Sequence, residues 1–250
     1  MDLESFNTSR ESLVPLLALN NKSNKNIIIF PTDKEAIEFS TDFSNLNKNI
    51  FHLPSWDTLS YDSFVPSFDI QGKRLEIAHL LLTNNNYNIA TSIKAISQRI
   101  YFEELEICKI ELNEEIDFDS LIENLIHLKY QRKDRVESKG SFAIRGGQLD
   151  VYPINYDLPL RVIFDGDLVN EIKTFDTISQ RSVSEKKDIL IVPATELFQI
   201  KHSDILNLSS NKKENLDDYE LFQYSQNLDL EKCLLDLTSN VALHIVDKNI

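Results

Sequence analysis

Leu160-Arg161-Val162-Ile163-Phe164-Asp165-Gly166-Asp167 puts a large apolar side chain at residues 160, 162 and 164 and then runs into an Asp-Gly pair. Period two with one apolar face is the signature of a half-buried strand. Gly166 supplies the positive φ that a tight hairpin turn requires. On the near side, Leu149 and Val151 alternate with Gln148, Asp150 and Tyr152, and Pro153 to Pro159 form the connection. On the far side Leu168 to Phe175 makes a third strand, so the centre of the chain reads as an antiparallel meander. The alternation puts Arg161 on the face away from Leu160, Val162 and Phe164, pointing outward.

Before the meander, Leu121, Ile122, Leu125 and Leu128 share one helical face behind Asp117 or Asp119 as cap. Further upstream, short, largely apolar β-like runs (Ile27 to Phe30, Ile50 to Leu53, Asn88 to Thr91) suit strands covered on both faces, as in a parallel sheet. A helix around Leu75, Ala78, Leu81 and Leu82 precedes the Asn84-Asn85-Asn86 break. Downstream, Ile189 to Val192 and Val241 to Val246 return to the parallel type and are expected to rejoin the first lobe. His202 to Asp218, rich in Asn, Ser, Lys and Asp, reads as a surface stretch. The expected fold is an α/β parallel-sheet lobe lacking a phosphate loop and built from both ends of the chain, with an inserted small α+β domain. Residues 1–108 form the first part of the lobe, 109–186 the insertion, and 187–250 the second part.

A net charge of −14 repels phosphates, so a protein partner fits this chain better than nucleic acid. Cys108 and Cys233 lie far apart without a metal-type neighbour, which speaks against a disulfide framework or a zinc site. They read as core residues in a reducing cytosol. With no basic and apolar leader and no run of about 18 apolar residues, a cytoplasmic protein without membrane attachment is expected.

The sequence offers no catalytic centre, metal site or cofactor site. A nucleoside triphosphatase needs GxxxxGK[ST] to cradle phosphates with backbone amides. After the first apolar strand this chain has Pro31-Thr32-Asp33-Lys34-Glu35, without glycine and with two carboxylates. The five histidines (His52, His79, His127, His202, His244) are scattered. Glu103, Glu104, Glu106, Glu111, Glu114 and Glu115 lack the glycine and spacing of a calcium loop and read as a solvated acidic face. Ser141 has no GxSxG context, and Trp56 reads as a core plug.

Four of the five glycines and five of the eight arginines (Arg132, Arg135, Arg145, Arg161, Arg181) fall between residues 132 and 181. The text from Tyr130-Gln131-Arg132 through Val136-Glu137 and Phe142-Ala143-Ile144-Arg145-Gly146-Gly147-Gln148-Leu149-Asp150-Val151-Tyr152-Pro153 resembles the interaction domain shared by UvrB and the bacterial transcription-repair coupling factors (Mfd). The resemblance runs on through Leu160-Arg161-Val162-Ile163-Phe164-Asp165-Gly166, Thr174-Phe175-Asp176, Gln180-Arg181-Ser182 and Val192-Pro193-Ala194-Thr195-Glu196. Upstream, Leu53-Pro54-Ser55-Trp56-Asp57-Thr58-Leu59-Ser60-Tyr61-Asp62 and Asp69-Ile70-Gln71-Gly72-Lys73-Arg74-Leu75 look like the coupling factors' second-strand region. With the missing phosphate loop, that favours coupling factor over UvrB.

The resemblance implies a non-catalytic module that docks onto UvrA and recruits nucleotide excision repair to stalled transcription. It implies that Arg145, Arg161, Phe164 and Asp165 form the contact, supported by Arg132, Arg135, Gly146, Gly147 and Asp150. Arginine suits the role because its planar fork pairs bidentately with carboxylates. Two departures stand out: Asp165 replaces an aromatic, and Lys129 replaces a glycine. Arg145 has a second reading, pairing with Asp150 or Glu137 inside the meander, and Gly146-Gly147 a second reading as a bulge. Two alternative functions are an autoregulatory clamp masking the same surface within a full-length coupling factor, and an ATP-dependent helicase lobe. RNA polymerase and DNA are expected to be reached only through regions outside these 250 residues, the chain being a fragment or a shortened relative.

Overall fold

The described strands form three sheets, one of five strands, one of six and one of two. The computed structural model describes residues 2–6, 25–45, 49–58, 64–83, 86–98, 105–197 and 242–246. Leu59–Asp62, Asn84, Asn85, Glu103, Glu104, His202–Asp218 and Cys233 lie outside the described residues. The chain divides into two compact units: residues 1–66, 76–101 and 201–250 in one, and 67–75 and 102–200 in the other.

The first unit holds a five-stranded sheet in the order β1-β13-β2-β4-β3, formed by β1 (Asp2–Phe6), β2 (Lys25–Phe30), β3 (Phe51–Leu53), β4 (Tyr87–Ser92) and β13 (Ala242–Val246). Every pair is parallel, so both ends of the chain build the lobe, with β13 between β1 and β2. Ile27 to Phe30 are buried without alternation, as expected of a strand covered on both faces. Helix α1 (Asp33–Ser44) covers one face by burying Ala36, Phe39 and Phe43 against Ile28, Phe30 and Ala90. Where a phosphate loop would lie, the Thr32 hydroxyl accepts the Glu35 amide. Asp33 and Glu35 occupy the first turn of that helix, where carboxylates meet its positive end. Helix α2 (Phe68–Thr83) belongs by its first half to the second unit and by its second half to this one. A short helix, α3 (Ile93–Ser97), follows β4.

The second unit centres on a six-stranded sheet, order β11-β10-β9-β8-β7-β6. Its strands are β6 (Gln131–Arg132), β7 (Ser141–Arg145), β8 (Gln148–Tyr152), β9 (Leu160–Asp165), β10 (Leu168–Phe175) and β11 (Ser182–Glu185). The expected three-stranded meander is β8-β9-β10, flanked by strands that the alternation alone did not reveal. Helix α4 (Phe118–His127), capped by Asp117 through the Ser120 amide, lays Leu121 and Leu125 on one face of the sheet. There they pack with Phe142, Leu149, Val151, Leu160, Val162 and Ile172. Cys108 lies in the same core, its thiol pushed up to about 12, by burial first and by Glu114 second.

One strand corrects the sequence expectation. Ile189 to Val192 is expected in the first lobe as a parallel strand, but β12 (Asp188–Ile191) pairs antiparallel with β5 (Cys108–Glu111), and Ile189 and Ile191 join the core of the second unit. A short apolar run records burial on both faces, not the sheet it enters.

The end of α4 shows how a departure from the family pattern is accommodated. Lys129 adopts φ 69. Its amide donates to the Ile126 carbonyl and the Tyr130 amide to the Leu125 carbonyl, each at 3.0 Å, the paired bonding of a Schellman helix end. A left-handed conformation costs a side-chain-bearing residue about 1–2 kcal/mol, against roughly 0.5–1 kcal/mol of backbone entropy for glycine. Lys129→Gly is therefore expected to stabilise the second unit by about 0.5–1 kcal/mol, read as a raised urea midpoint. An unchanged or lowered midpoint contradicts that account.

Candidate partner-binding face

The meander sends alternate side chains away from α4: Ser141, Ala143 and Arg145 from β7, Gln148, Asp150 and Tyr152 from β8, and Arg161, Ile163 and Asp165 from β9. Asp150 and Arg161 stand directly opposite each other in register. The Arg161 Nε donates to Asp150 Oδ1 at 2.7 Å and its Nη2 to Oδ2 at 2.8 Å, the bidentate fork that arginine geometry favours. That pairing, by hydrogen bonding first and by charge second, raises the Arg161 pKa above its ordinary value. The guanidinium also stacks 4.4 Å from the Phe175 ring centroid. The two side chains are 16% and 8% exposed.

Arg161 therefore lies on the expected face but is engaged. Asp150 is its partner, so the reading that paired Asp150 with Arg145 is corrected: cross-strand register, invisible in sequence spacing, decides which arginine meets which carboxylate.

Arg145, at the end of β7, is exposed. Its Nη2 donates to the Asp134 carbonyl at 3.2 Å, which holds one edge of the guanidinium. Arg132 is exposed on β6. Arg135 donates to the Thr177 carbonyl at 2.8 Å and sits 3.8 Å from Glu137. Between Lys129 and Arg145 six basic residues stand against two acidic ones, in a chain whose net charge is −14. A locally cationic surface thus coexists with global acidity.

Phe164, expected at the contact, is instead part of the core at 7% exposure, its ring 4.9 Å from that of Phe118 and nearly perpendicular to it. This corrects its assignment as a surface contact, since period two turns residue 164 inward with 160 and 162. Asp165 beside it is exposed. Gly146 and Gly147 form a two-residue turn between the paired Arg145 and Gln148, not a bulge. Gly146 has φ 60, and a Cβ on Gly147 would lie 2.8 Å from the Phe164 carbonyl oxygen.

The loop joining β10 to β11, residues 176–181, includes Asp176, Gln180 and Arg181 of the family-like stretch, but its closed form is not evident from the sequence. The Asp176 carboxylate accepts the Ser179 amide and hydroxyl, both at 2.7 Å, and these bonds hold it below the usual carboxylate range. Arg135 grips the Thr177 carbonyl, while Arg161 reaches the Gln180 carbonyl at 3.4 Å. Phe175, directly before the loop, packs with Val136 and Ala143 in a second small core. The Asp176-x-x-Ser179 spacing was the available signal.

Among the described residues there is no cluster of metal-ligating side chains, and no helix is long and apolar enough to cross a membrane. Ser141 Oγ donates to the Ser138 carbonyl at 2.6 Å, and Trp56 is buried as a core residue.

Residues 108–197 match the family model described as the UvrB interaction domain. The chain is 29% identical to the transcription-repair-coupling factor of Escherichia coli K12, covering 68% of this chain and 15% of that protein. It is 26% identical to the coupling factor of Bacillus subtilis 168, covering 92% and 23% respectively. With the UvrABC system protein B of Thermosipho africanus the identity is 22%, covering 79% of this chain and 32% of the relative. The chain thus spans less than a third of the length of these relatives.

Proposed function

With residues 108–197 a UvrB interaction domain in a chain related to the transcription-repair-coupling factors, we propose that the protein is a UvrA-docking module that links nucleotide excision repair to stalled transcription. It acts by binding and has no catalytic centre of its own. The observation that carries the reading is the placement of Arg145. It is an exposed guanidinium on the sheet face opposite the core, held along one edge by a single backbone carbonyl, in a cationic stretch of an acidic chain.

Such a group pairs with a carboxylate on a partner at little ordering cost, because planar, partly fixed arginines lose little freedom on binding. Arg132 extends the cationic surface. Arg161 shapes it from beneath, by fixing Asp150 and the 176–181 loop. Asp165 adds a negative charge where related domains carry an aromatic, and its partner must tolerate that charge.

Size-exclusion chromatography of the chain with purified UvrA from the same source tests the proposal. Co-elution at micromolar concentration is expected, together with no phosphate release from ATP by the chain alone on DNA. Separate elution of the two proteins across the micromolar range sinks the docking assignment.

A further inference from the structure

The 176–181 loop carries an exposed apolar side chain on a backbone held by several hydrogen bonds. Ile178 is 87% exposed, more than any other large hydrophobic residue among those described. Single exposed apolar residues are ordinary on flexible surfaces. This one is not on a free tether. Arg135 Nη2 holds the Thr177 carbonyl at 2.8 Å and lies 3.5 Å from that of Ile178, and the Gln180 side-chain amide donates to the Thr177 carbonyl at 2.8 Å. Asp176 accepts from Ser179 twice, and the Asp176 amide donates to the Arg181 carbonyl at 3.0 Å. Arg161 closes the far side through Gln180. The ordering entropy of the loop has been met in folding, which is the condition under which an exposed side chain adds most to association.

We infer that Ile178 is the apolar anchor of the docking face and enters a pocket on the partner protein that is bordered by carboxylates. The inference rests on the docking function proposed above and names the contact beyond arginine. Continuity and charge both point to this occupant. The loop is fastened by Arg135, which belongs to the same basic stretch as Arg145, and Arg181 at its end is exposed. An isoleucine set among guanidinium groups fits a surface that offers an apolar centre within an acidic rim, the usual arrangement of buried centre and polar border in protein interfaces. Phe164 cannot serve as that anchor, being in the core, and Asp165 is a carboxylate.

Calorimetric titration of UvrA with the full chain, in wild-type, Ile178→Asp and Ile126→Asp forms, tests it. Ile126 is 54% exposed on α4, whose other face covers the opposite side of the sheet. The Ile178→Asp Kd is expected to rise by about tenfold or more, as burial of one isoleucine implies, with the urea midpoint of the free chain unmoved and Ile126→Asp binding like wild type. Wild-type affinity in Ile178→Asp overturns the anchor and leaves the docking function standing, and equal losses in both variants overturn it as well. If the wild-type chain itself does not bind, the docking function falls and the anchor with it.

Discussion

Arg145→Glu is expected to abolish co-elution with UvrA while moving the thermal midpoint by no more than a few degrees. The side chain is exposed and makes one hydrogen bond, to a backbone carbonyl. Exposed substitutions of this kind cost about 0.5 kcal/mol or less. At the interface the arithmetic differs, because an arginine hot spot contributes about 2 kcal/mol or more, about thirtyfold in Kd, and reversing the charge adds repulsion from the carboxylate it was meant to meet. Arg161 would be the wrong probe. A glutamate there faces Asp150, which is 8% exposed, and an unpaired buried carboxylate costs about 3–5 kcal/mol, so lost binding would report lost structure. Parallel chromatography and thermal scans of wild type and Arg145→Glu separate the two effects. Wild-type co-elution by the variant would remove Arg145 from the contact.

The second large effect concerns stability. Arg74→Met is expected to destabilise the second unit by about 3–5 kcal/mol, because it removes one member of a buried ion pair. The Arg74 Nε donates to Glu196 Oε1 at 2.8 Å, with side-chain exposures of 0% and 7%. Neighbouring contacts fix the geometry. Gln71 Oε1 accepts the Glu196 amide at 2.9 Å and the Thr195 hydroxyl at 3.0 Å, and a Cβ on Gly72 would lie 2.4 Å from the Ile154 carbonyl oxygen. The first half of α2 is therefore seated closely against the chain around Ile154 and Glu196. Urea unfolding followed by far-UV circular dichroism measures the loss. The double variant Arg74→Met with Glu196→Leu is expected to recover much of it, since an apolar pair replaces a buried ionic one at little net cost. A double variant no more stable than the single one would show that the broken ion pair is not the cause.

The legible parts were those with a local cause. Strands β8, β9 and β10 followed from alternation and from turn residues, and α4 from a helical apolar stripe with Asp117 ahead of it. The largely apolar runs marked β2, β3 and β4. The arginine concentration marked the region that carries the candidate face. What escaped was set by partners distant in sequence. β12 pairs with β5 across 80 residues, from Asp188–Ile191 back to Cys108–Glu111. Arg74 meets Glu196 across 122. The 176–181 loop owes its rigidity to Arg135 and Arg161. Neither its length nor its composition carries that information.

By itself the sequence determined the presence of a parallel sheet and an antiparallel meander, the absence of a phosphate-loop motif, and the cationic stretch, because each is written in the order of neighbouring residues and in the dihedral and solvation preferences they bring. Tertiary structure alone decided which guanidinium stays exposed. Arg145 and Arg161 are equivalent in the alternation. Register sets Asp150 opposite Arg161, and the low-dielectric pairing that follows consumes one arginine and leaves the other facing solvent.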